Sequence, residues 1–382
     1  MDFGLQYGVP VPKPWHRHSE YDAFQQVIAQ AVQAETSGFS HFWAVEHHFL
    51  TEHAHCSAPE VLLGAVAART KKIRIGHGVR LLPFPYNHPI RTAEMAAMLD
   101  LISSGRLEFG TGRSNTRVEL EVFGIDPEST RSMWEEALAV VVKAWTEEIL
   151  QWKGKHFQFP DCNVIPKPLQ RPHPPLWVAG MGSESHEIAG RKGLGILSFT
   201  IVTPLDELAK RVHLYREGIK QAVPIGHIVN NNVAAFTLVH CAKTDREAKD
   251  NSQMAIAGFL KMARKYLGSV VTMLTAKGGL PQSYEYMKDL LGGEAEIPYE
   301  ILYEFLDEND LIIVGSPEKC IEKIKRYQEI GIDQLLAQMQ IWDIPHEKVM
   351  ESIRLFGEHV IPVFSSLVSE TNQRQRVLEP AL

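Results

Sequence analysis

The chain has 382 residues, of which 45% are hydrophobic and 22% charged, a composition typical of a globular protein and unlike that of a disordered one. Its formal net charge of −7 gives no electrostatic reason to expect nucleic acid or an anionic membrane as a partner. No apolar run approaches the ~20 residues that are needed to cross a bilayer.

The N-terminus and the cysteines bear on the cellular compartment. The opening MDFGLQYGVP lacks a basic segment followed by an apolar one, so no secretory signal is visible. The four cysteines lie far apart and form no CxxC pair, which signals neither a disulfide framework nor a zinc site. We therefore expect a protein of the reducing cytoplasm.

The first part of the chain alternates between strand and helix patterns. The proline-rich VPVPKP after the first strand must be a loop, because proline removes ladder donors. Gly38 is typical of a helix C-cap, and Pro59 of a first helical turn. These signals predict strands at 3–7, 41–45 and 73–79 and helices at 22–37 and 59–70.

A helix followed by a glycine-rich strand comes next. Pro89 starts the helix, its apolar residues recur on a helical period, and Ser-Ser-Gly at 103–105 ends it. A strand at 106–110 opens into GTGRSN, where two glycines let backbone approach a ligand and Arg113 offers a fork of donors for a phosphate. The same GTGR also fits a plain glycine turn with a surface arginine.

The alternation continues through the second half. We predict a hairpin at 149–159, strands at 176–180, 195–199, 233–241 and 333–340, and helices at 133–148, 183–192, 204–221, from about 245, 316–330 and 345–364. Residues 266–310 break the rhythm, and their Gly-Gly pairs, aromatic residues and acids suggest a long functional loop. Residues 368–382 are a polar tail that we expect to fray.

This rhythm predicts a (β/α)8 TIM barrel, because eight short apolar strands, each followed by a helical segment, suit a parallel sheet buried on both faces. A doubly wound sheet is the alternative. We expect a single domain over 1–367, with the 266–310 insertion near its C-terminal end. In a barrel the chemistry lies at the C-terminal ends of the strands, where the sequence places Glu46, His47, His48, Gly78, Arg113, Gly180, Met181, Gly182 and Ser198.

His47 and His48 follow the second strand. Each could be a general base, a proton donor, a metal ligand or a core histidine bonded to a backbone carbonyl. Because successive strand residues face opposite ways, one should face the barrel mouth and the other the outer layer. His53 and His55 add the hypothesis of a catalytic metal, but the later strand ends WVAGMG and GILSF supply no further ligand, so we expect no metal.

The segment from Val178 to Ser185 leads from a strand straight into a helix. A helix N-terminus exposes free N–H groups and a partial positive charge, which suit a phosphate, and the hydroxyl of Ser183 or Ser185 could add a donor. Ser183 could equally be a plain N-cap. With Arg113 one strand earlier, two anion-binding elements would converge on one side of the mouth, which favours a phosphorylated cofactor.

Over nearly the whole chain these residues resemble the luciferase-like monooxygenases, flavin-dependent barrels typified by the bacterial luciferase alpha subunit. The resemblance rests on Gly38-Phe39 with FWAVEHHF, the glycine-rich third strand that runs to Leu82-Pro83, HPIR, SGRLEFGTGR with VFG, WVAG, ILSF and VGSPEKCIEKI with GID. No single motif is decisive, but their order and spacing are specific.

The resemblance implies a reaction. Reduced FMN would bind at the barrel mouth and react with O2 to give a flavin hydroperoxide, which oxygenates a small organic substrate. His47 matches the catalytic histidine of the EHH motif, expected to assist proton transfer, and Glu46 and His48 complete that motif.

The resemblance also implies the cofactor-binding residues. Arg113 matches the arginine on the FMN phosphate, and Gly78 and Val79 fall at an unusual non-prolyl cis peptide beneath the flavin ring. The other implied contacts are the second half of the phosphate site and a segment beside the ring: Gly180, Met181, Gly182, Ser183, Ser185, Ser198 and Phe199.

Members of such a family receive reduced flavin from a separate NAD(P)H:flavin reductase and dimerise through helices, where Glu94 would lie at the interface. We therefore expect a homodimer with a reductase partner. One alternative is a deazaflavin-dependent oxidoreductase that transfers hydride on the same barrel. Another is a non-catalytic flavin-binding dimer partner, although such a partner has no need of the complete EHH motif.

Several positions depart from the luciferase pattern. Gly112 stands where bacterial luciferase has a reactive cysteine, and Gly180 and Met181 stand where a glutamate and a serine are expected. Acidic residues replace arginines near the end of the predicted loop: Glu304, Asp307, Glu308 and Asp310. These changes argue against light emission from a long-chain aldehyde and affect the general flavin site less.

Overall fold

The computed structural model describes residues 1–201, 203–276, 299–365 and 375–377. Its centre is a closed barrel of eight parallel strands, in which β8 pairs with β1 and β6 pairs with β7. In chain order the strands are β1 (Asp2–Tyr7), β2 (His41–Ala44), β3 (Arg74–His77), β4 (Leu107–Gly112), β5 (Leu176–Gly180), β6 (Gly195–Phe199), β7 (Val233–Cys241) and β8 (Gln334–Gln338). The predicted TIM barrel is confirmed, and the doubly wound alternative is excluded.

Helices surround the barrel, and three of them begin with proline in the first turn, as the sequence indicated. Strands Leu150–Lys153 and Gln158–Cys162 form the expected antiparallel hairpin. The helices are α1 (Ser19–Thr36), α2 (Pro59–Arg69), α3 (Pro89–Ile102), α4 (Arg117–Val122), α5 (Thr130–Thr146), α6 (Ser183–Arg191), α7 (Leu205–Lys220), α8 (Asp245–Ala276), α9 (Tyr299–Glu308), α10 (Pro317–Glu329), α11 (His346–Leu355) and α12 (Ile361–Ser365).

Two tryptophans fill the interior of the barrel. The rings of Trp43 and Trp177 meet edge to face with their centroids 5.4 Å apart. A Cβ atom on Gly76 would lie 2.2 Å from the Trp43 ring, and one on Gly195 would lie 2.4 Å from the Trp177 ring. These glycines are therefore required by close packing, which makes the barrel interior a solid core rather than a pore.

The prediction of a long loop over 266–310 is wrong for its described parts. Helix α8 continues to Ala276, and α9 occupies Tyr299–Glu308, while 277–298 lie outside the described residues. Val270, Met273 and Leu274 recur at helical spacing and pack with Leu120 and Ile125 in a small apolar cluster. Burial of this apolar face explains why the segment is helical.

The acidic residues near 304–310 form ion pairs with basic residues of α8 and α10. The pairs are Glu304–Lys249, Asp307–Lys319, Asp307–Lys323 and Asp310–Arg326. Lys323 is buried, and a buried ammonium group is tolerated only when it is paired in this way. These acids therefore fasten α9 and the turn after it to the neighbouring helices.

The C-terminal tail differs from expectation at three residues. Gln375–Val377 pairs antiparallel with Ile228–Asn230, so this part of the tail is a strand rather than frayed chain. None of the helices within the described ranges is long and apolar enough to span a membrane.

Candidate active site

A cavity of about 500 Å³ opens at the C-terminal end of the barrel, and each of the eight strands or the residues that follow it contributes to its wall. Its size is typical of cofactor and substrate sites. Every site residue predicted from the sequence lines it except His48: Glu46, His47, Gly78, Val79, Arg113, Gly180, Met181, Gly182, Ser183, Ser185, Ser198 and Phe199.

His47 follows β2 and presents its ring to the cavity. Its Nδ1 atom lies 3.0 Å from Oε1 of Glu119 in α4, and 24% of its side chain is exposed. Because a carboxylate can only accept, we assign the proton to Nδ1. The second ring nitrogen, Nε2, then remains for a proton or a ligand.

Glu119 is fully buried, and four donors converge on its carboxylate. Besides the His47 ring they are the N–H of His48 at 2.8 Å, the hydroxyl of Ser114 at 2.7 Å and the hydroxyl of Thr116. Burial raises the pKa of Glu119, but the charge of His47 and these hydrogen bonds outweigh burial and hold the pKa below its ordinary value. Glu119 therefore stays ionised at neutral pH and fixes the orientation of the His47 ring.

Glu46 borders the cavity, but its buried carboxylate acts as a brace. Oε2 accepts the N–H of Leu81 at 2.9 Å, and Oε1 accepts the amide of Asn87 at 2.8 Å. The guanidinium of Arg80 lies 3.5 Å from Oε2. Its oxygens are thus occupied by donors of the turn after β3, which Glu46 holds in place.

His48 points away from the cavity. Its ring stacks on Tyr86 with centroids 6.2 Å apart and meets Phe123 edge to face at 5.0 Å. Its Nε2 lies 3.2 Å from Oε1 of Glu46. His47 thus lines the cavity and His48 does not, although both lie in the irregular segment after β2 and not in a strand, so the alternation of strand side chains is not the reason.

The wall beside His47 contains a cis peptide bond between Gly78 and Val79 that involves no proline. Strand β4 runs on to Gly112, so the GTG segment is strand rather than loop. A Cβ atom on Gly110 would lie 1.9 Å from the carbonyl oxygen of His77, and one on Gly112 would lie 2.4 Å from Cγ2 of Val79. These glycines therefore serve barrel packing, and Val79 fills the space that a cysteine at 112 would need.

Two arginines and the first turn of α6 form one wall, which we call the anion cradle. Arg113 donates to the hydroxyl of Thr130 at 3.2 Å. Arg131 binds the carboxylate of Glu184 through two hydrogen bonds of 2.8 Å each. A planar guanidinium suits a phosphate, and the positive end of the α6 dipole adds to its field.

The start of α6 is organised by its own residues. Gly182 is the N-cap, and the Ser185 hydroxyl donates to its carbonyl at 2.6 Å and accepts from its N–H at 3.2 Å. A Cβ atom on Gly180 would lie 2.7 Å from that hydroxyl oxygen, so a side chain there would disturb the cap. Ser185 is thus a structural cap, whereas Ser183 is the first helical residue and borders the cavity.

A buried histidine positions Ser198. Nδ1 of His186 lies 2.8 Å from the carbonyl oxygen of Gly182, and Nε2 lies 3.0 Å from the Ser198 hydroxyl. Burial lowers the pKa of His186 to about 4, so the ring is neutral at pH 7. Since a carbonyl only accepts, Nδ1 carries the proton and Ser198 donates to Nε2. Phe199, the next residue, stacks on Phe236 with centroids 5.4 Å apart.

Helix α8 covers the mouth from above. Phe259, Ala263, Tyr266 and Leu267 share one helical face and line the cavity. The Tyr266 hydroxyl donates to the carbonyl of Thr51 at 2.9 Å and so ties α8 to the segment after β2. The predicted functional loop therefore does contribute to the site, but as a helix.

The described residues include no group of three or more His, Cys, Asp and Glu side chains that could hold a metal ion. His55, one of the two histidines behind the metal hypothesis, lies 2.9 Å from a carboxylate oxygen of Glu20. His53 lines the cavity instead, beside Phe259.

Sequence reasoning missed Glu119 and Arg131. Both lie on helices, and their partners are 72 and 53 residues away in the chain. The segment Ser-Asn-Thr before α4 was a usable signal, because serine and threonine before Arg117 favour a helix start. Nothing local in the sequence indicates that Arg131 reaches across to Glu184.

Comparisons with known sequences show which proteins the chain resembles. The sequence profile described as luciferase-like monooxygenase matches residues 5–334. The alkanal monooxygenase alpha chain of Photobacterium leiognathi is 27% identical over 351 residues, 90% of this chain and 94% of that one. The oxygenase component of flavin-dependent trigonelline monooxygenase from Acinetobacter baylyi is 27% identical over 364 residues, 91% of this chain and 92% of that one.

Solved structures share the fold. The oxygenating constituent of 3,6-diketocamphane monooxygenase from Pseudomonas putida, in complex with FMN, superposes with a TM-score of 0.73 at 24% identity and covers 95% of this chain and 98% of that one. The coenzyme F420-dependent tetrahydromethanopterin reductase of Methanopyrus kandleri superposes with a TM-score of 0.65 at 20% identity and covers 95% and 99%. At these identities the likeness shows the barrel and leaves the flavin type open.

Proposed function

The chain belongs to the luciferase-like monooxygenase family, and from that premise we propose that it is the oxygenase of a two-component flavin monooxygenase. It binds reduced FMN delivered by a separate NAD(P)H:flavin reductase and uses O2 to oxygenate a small organic substrate. One observation carries the proposal: a single cavity holds an anion cradle and a histidine that is oriented by a buried carboxylate. A relative that is named as an oxygenase component supports the two-component arrangement.

The residues of the cavity fit FMN. The anion cradle offers Arg113 and the N-terminus of α6 to the phosphate, while Arg131 pairs with the carboxylate of Glu184 in the first turn of that helix. Val79 and Leu197 offer apolar surface to the flavin ring, and Ser198 a hydroxyl oxygen. Bound reduced FMN supplies the two electrons that activate O2.

His47 holds and moves the proton at Nε2 during the reaction. The ionised Glu119 keeps Nδ1 protonated, so Nε2 can accept a proton from the reacting group or return one to it. The apolar residues of α8 cover this part of the cavity and limit the entry of water, which protects reactive species from hydrolysis.

We also propose a homodimer that forms through α3. Met98, Leu101 and Ile102 on this helix are exposed, with 52%, 42% and 58% of their surface accessible. Glu94 precedes them on the same helix and pairs with Arg91. Light scattering at two concentrations tests this: Met98→Glu converts a dimer to a monomer, and an unchanged mass contradicts the interface.

The deciding experiment is an anaerobic titration with reduced FMN followed by rapid mixing with oxygenated buffer. We expect stoichiometric binding, then a flavin spectrum that is neither reduced nor fully oxidised and lasts for seconds. Tight binding of a deazaflavin cofactor, with no such spectrum after FMN, would instead establish hydride transfer. Flavin binding without either reaction would identify a non-catalytic subunit.

A further inference from the structure

Three aromatic rings meet at the part of the cavity that lies under α8. The centroid of the His53 ring is 5.0 Å from that of Phe259 and 6.0 Å from that of Tyr266. All three residues line the cavity, and we call them the ring subsite. Rings at this spacing contribute favourable edge and face contacts to a further flat ring.

The ring subsite is fixed in position before a ligand arrives. The hydroxyl of Tyr266 is bonded to the carbonyl of Thr51, which holds its ring against the segment after β2. Phe259 is buried, with 5% of its surface exposed. Because ordering side chains on binding costs free energy, such pre-organised rings favour a ligand of matching shape.

The ring subsite carries no full charge. Arg113 and Arg131, the arginines that border the cavity, belong to the anion cradle, and the described lining residues include no lysine. Burial and the nearby charge of His47, partly offset by Glu119, lower the pKa of His53 to about 3, so its ring is neutral at pH 7. A carboxylate placed here would lose its hydration, and the two arginines that could pair with it lie in the anion cradle.

Within the described ranges, the side chain of His53 lacks a hydrogen bond at its ring. Its Nδ1 atom is buried and has no hydrogen-bond partner among the described residues, so a ligand in the cavity can reach the ring only at its other nitrogen, Nε2. A neutral imidazole has one donor and one acceptor nitrogen, so a ligand with a single hydrogen-bonding group can satisfy it. Because the ring lines the cavity, Nε2 makes His53 a candidate ligand contact.

We propose that His53, Phe259 and Tyr266 bind the substrate and that the substrate is a flat, neutral ring compound with one hydrogen-bonding group. The inference deepens the proposed function, on which it rests, because this compound is the molecule to be oxygenated. His47 lines the same cavity as the three rings, so a bound ring shares that cavity with the group that moves the proton.

Isothermal titration of the protein loaded with oxidised FMN tests the inference with three probes. Indole is flat, neutral and carries one N–H, indole-3-carboxylate has the same ring with a negative charge, and n-decanal is a long-chain aldehyde. We expect indole to bind at least tenfold more tightly than either of the other two. Equal affinities for indole and its carboxylate, or tighter binding of n-decanal, overturn the proposal.

Two substitutions locate the site. Phe259→Leu keeps apolar volume but removes the ring, and it should weaken indole binding at least threefold with little change in Tm. His53→Phe should weaken indole but leave indene, which lacks the N–H, unaffected. Phe305→Ala, which removes an exposed ring on α9, is the matched control and should change neither affinity. Indole affinities in the two subsite variants that equal the control contradict the proposal.

The affinity for FMN, measured separately by flavin fluorescence, distinguishes this inference from the proposed function. Normal FMN binding with no selectivity for indole rejects the ring subsite alone. Failure to bind FMN rejects the proposed function, and the same probes titrated into the flavin-free protein then decide whether the rings still select a neutral flat compound.

Discussion

The two sides of the cavity treat a buried titratable group in opposite ways. On the side of β2, Glu119 is fully buried yet ionised, because four donors satisfy its carboxylate. On the side of α6, His186 is equally buried and stays neutral, because one carbonyl and one hydroxyl satisfy its uncharged form. Burial alone therefore does not decide the charge of a group, whereas the set of hydrogen-bond partners does.

This difference separates two tasks. Under the proposed function, the charge on the side of β2 orients the group that transfers the proton, and the side of α6 keeps its histidine neutral and presents helix N–H groups and Arg113 to the phosphate. We expect substitutions on the first side to change turnover and substitutions on the second side to change the affinity for flavin.

The largest effect should follow His47→Ala. A positioned general acid or base contributes about 10²- to 10⁴-fold in rate, so turnover should fall by that factor while the affinity for FMN stays within about threefold. Stopped-flow turnover and flavin fluorescence titration measure the two quantities. Loss of flavin binding would show that His47 is structural and would contradict the assignment of turnover to one side of the cavity and flavin affinity to the other.

The next largest effect should be a loss of FMN affinity when the anion cradle is altered. Arg113→Ala removes a charge-assisted hydrogen bond worth about 1.5–3 kcal/mol, which corresponds to a loss of FMN affinity of roughly 10- to 100-fold. Riboflavin lacks the phosphate and should lose less than threefold. Equal losses of affinity for FMN and riboflavin would show that Arg113 does not bind the phosphate.

A smaller change in turnover should follow Glu119→Gln, which keeps the shape of the side chain and removes its charge. We expect turnover to fall about tenfold, or ~1.4 kcal/mol in activation free energy, with FMN affinity unchanged. Ser114→Ala is the milder control, because it removes one donor and leaves the charge. A Glu119→Gln enzyme with full activity at every pH would show that the charge does not act through His47.

The free energy of unfolding at acidic pH offers a second measurement on Glu119→Gln. The pKa of Glu119 is lower in the folded state than its ordinary value of 4.5. Its contribution to the free energy of unfolding is therefore complete above pH 4.5 and is lost as the pH falls through the lower folded value. Urea unfolding of Glu119→Gln should depend less on pH in that window than that of the wild type.

The smallest effect on activity should come from His186→Gln, which alters stability instead. The folded pKa of about 4 lies below the ordinary 6.5, so the unfolded chain takes up the proton first as the pH falls. The histidine thus destabilises the fold progressively from pH 6.5 to 4, by roughly 3 kcal/mol. The variant should lose this dependence in urea titrations, and an unchanged dependence would show that the fold does not lower the pKa of His186.

Much of the barrel could be predicted because its signals are local. Prolines at helix starts, glycines at helix ends and short apolar strands each act within a few residues, so the element order was right over most of the chain. The errors fell where a local signal is ambiguous. The end of α8 looked like a loop because its apolar face is meaningful only against Leu120 and Ile125, far away in sequence.

The sequence by itself determined which side chains are available at the barrel mouth. His47 and Arg113 follow strands, and Ser183 begins the helix after a strand, so all three lie at the C-terminal end of the barrel. Only the tertiary structure decided which of them can act. It turned His48 away, occupied the oxygens of Glu46, and brought Glu119 to within 3.0 Å of the His47 ring. The physical reason is that orientation and ionisation depend on partners in other elements, and the order of the chain does not specify distances between those elements.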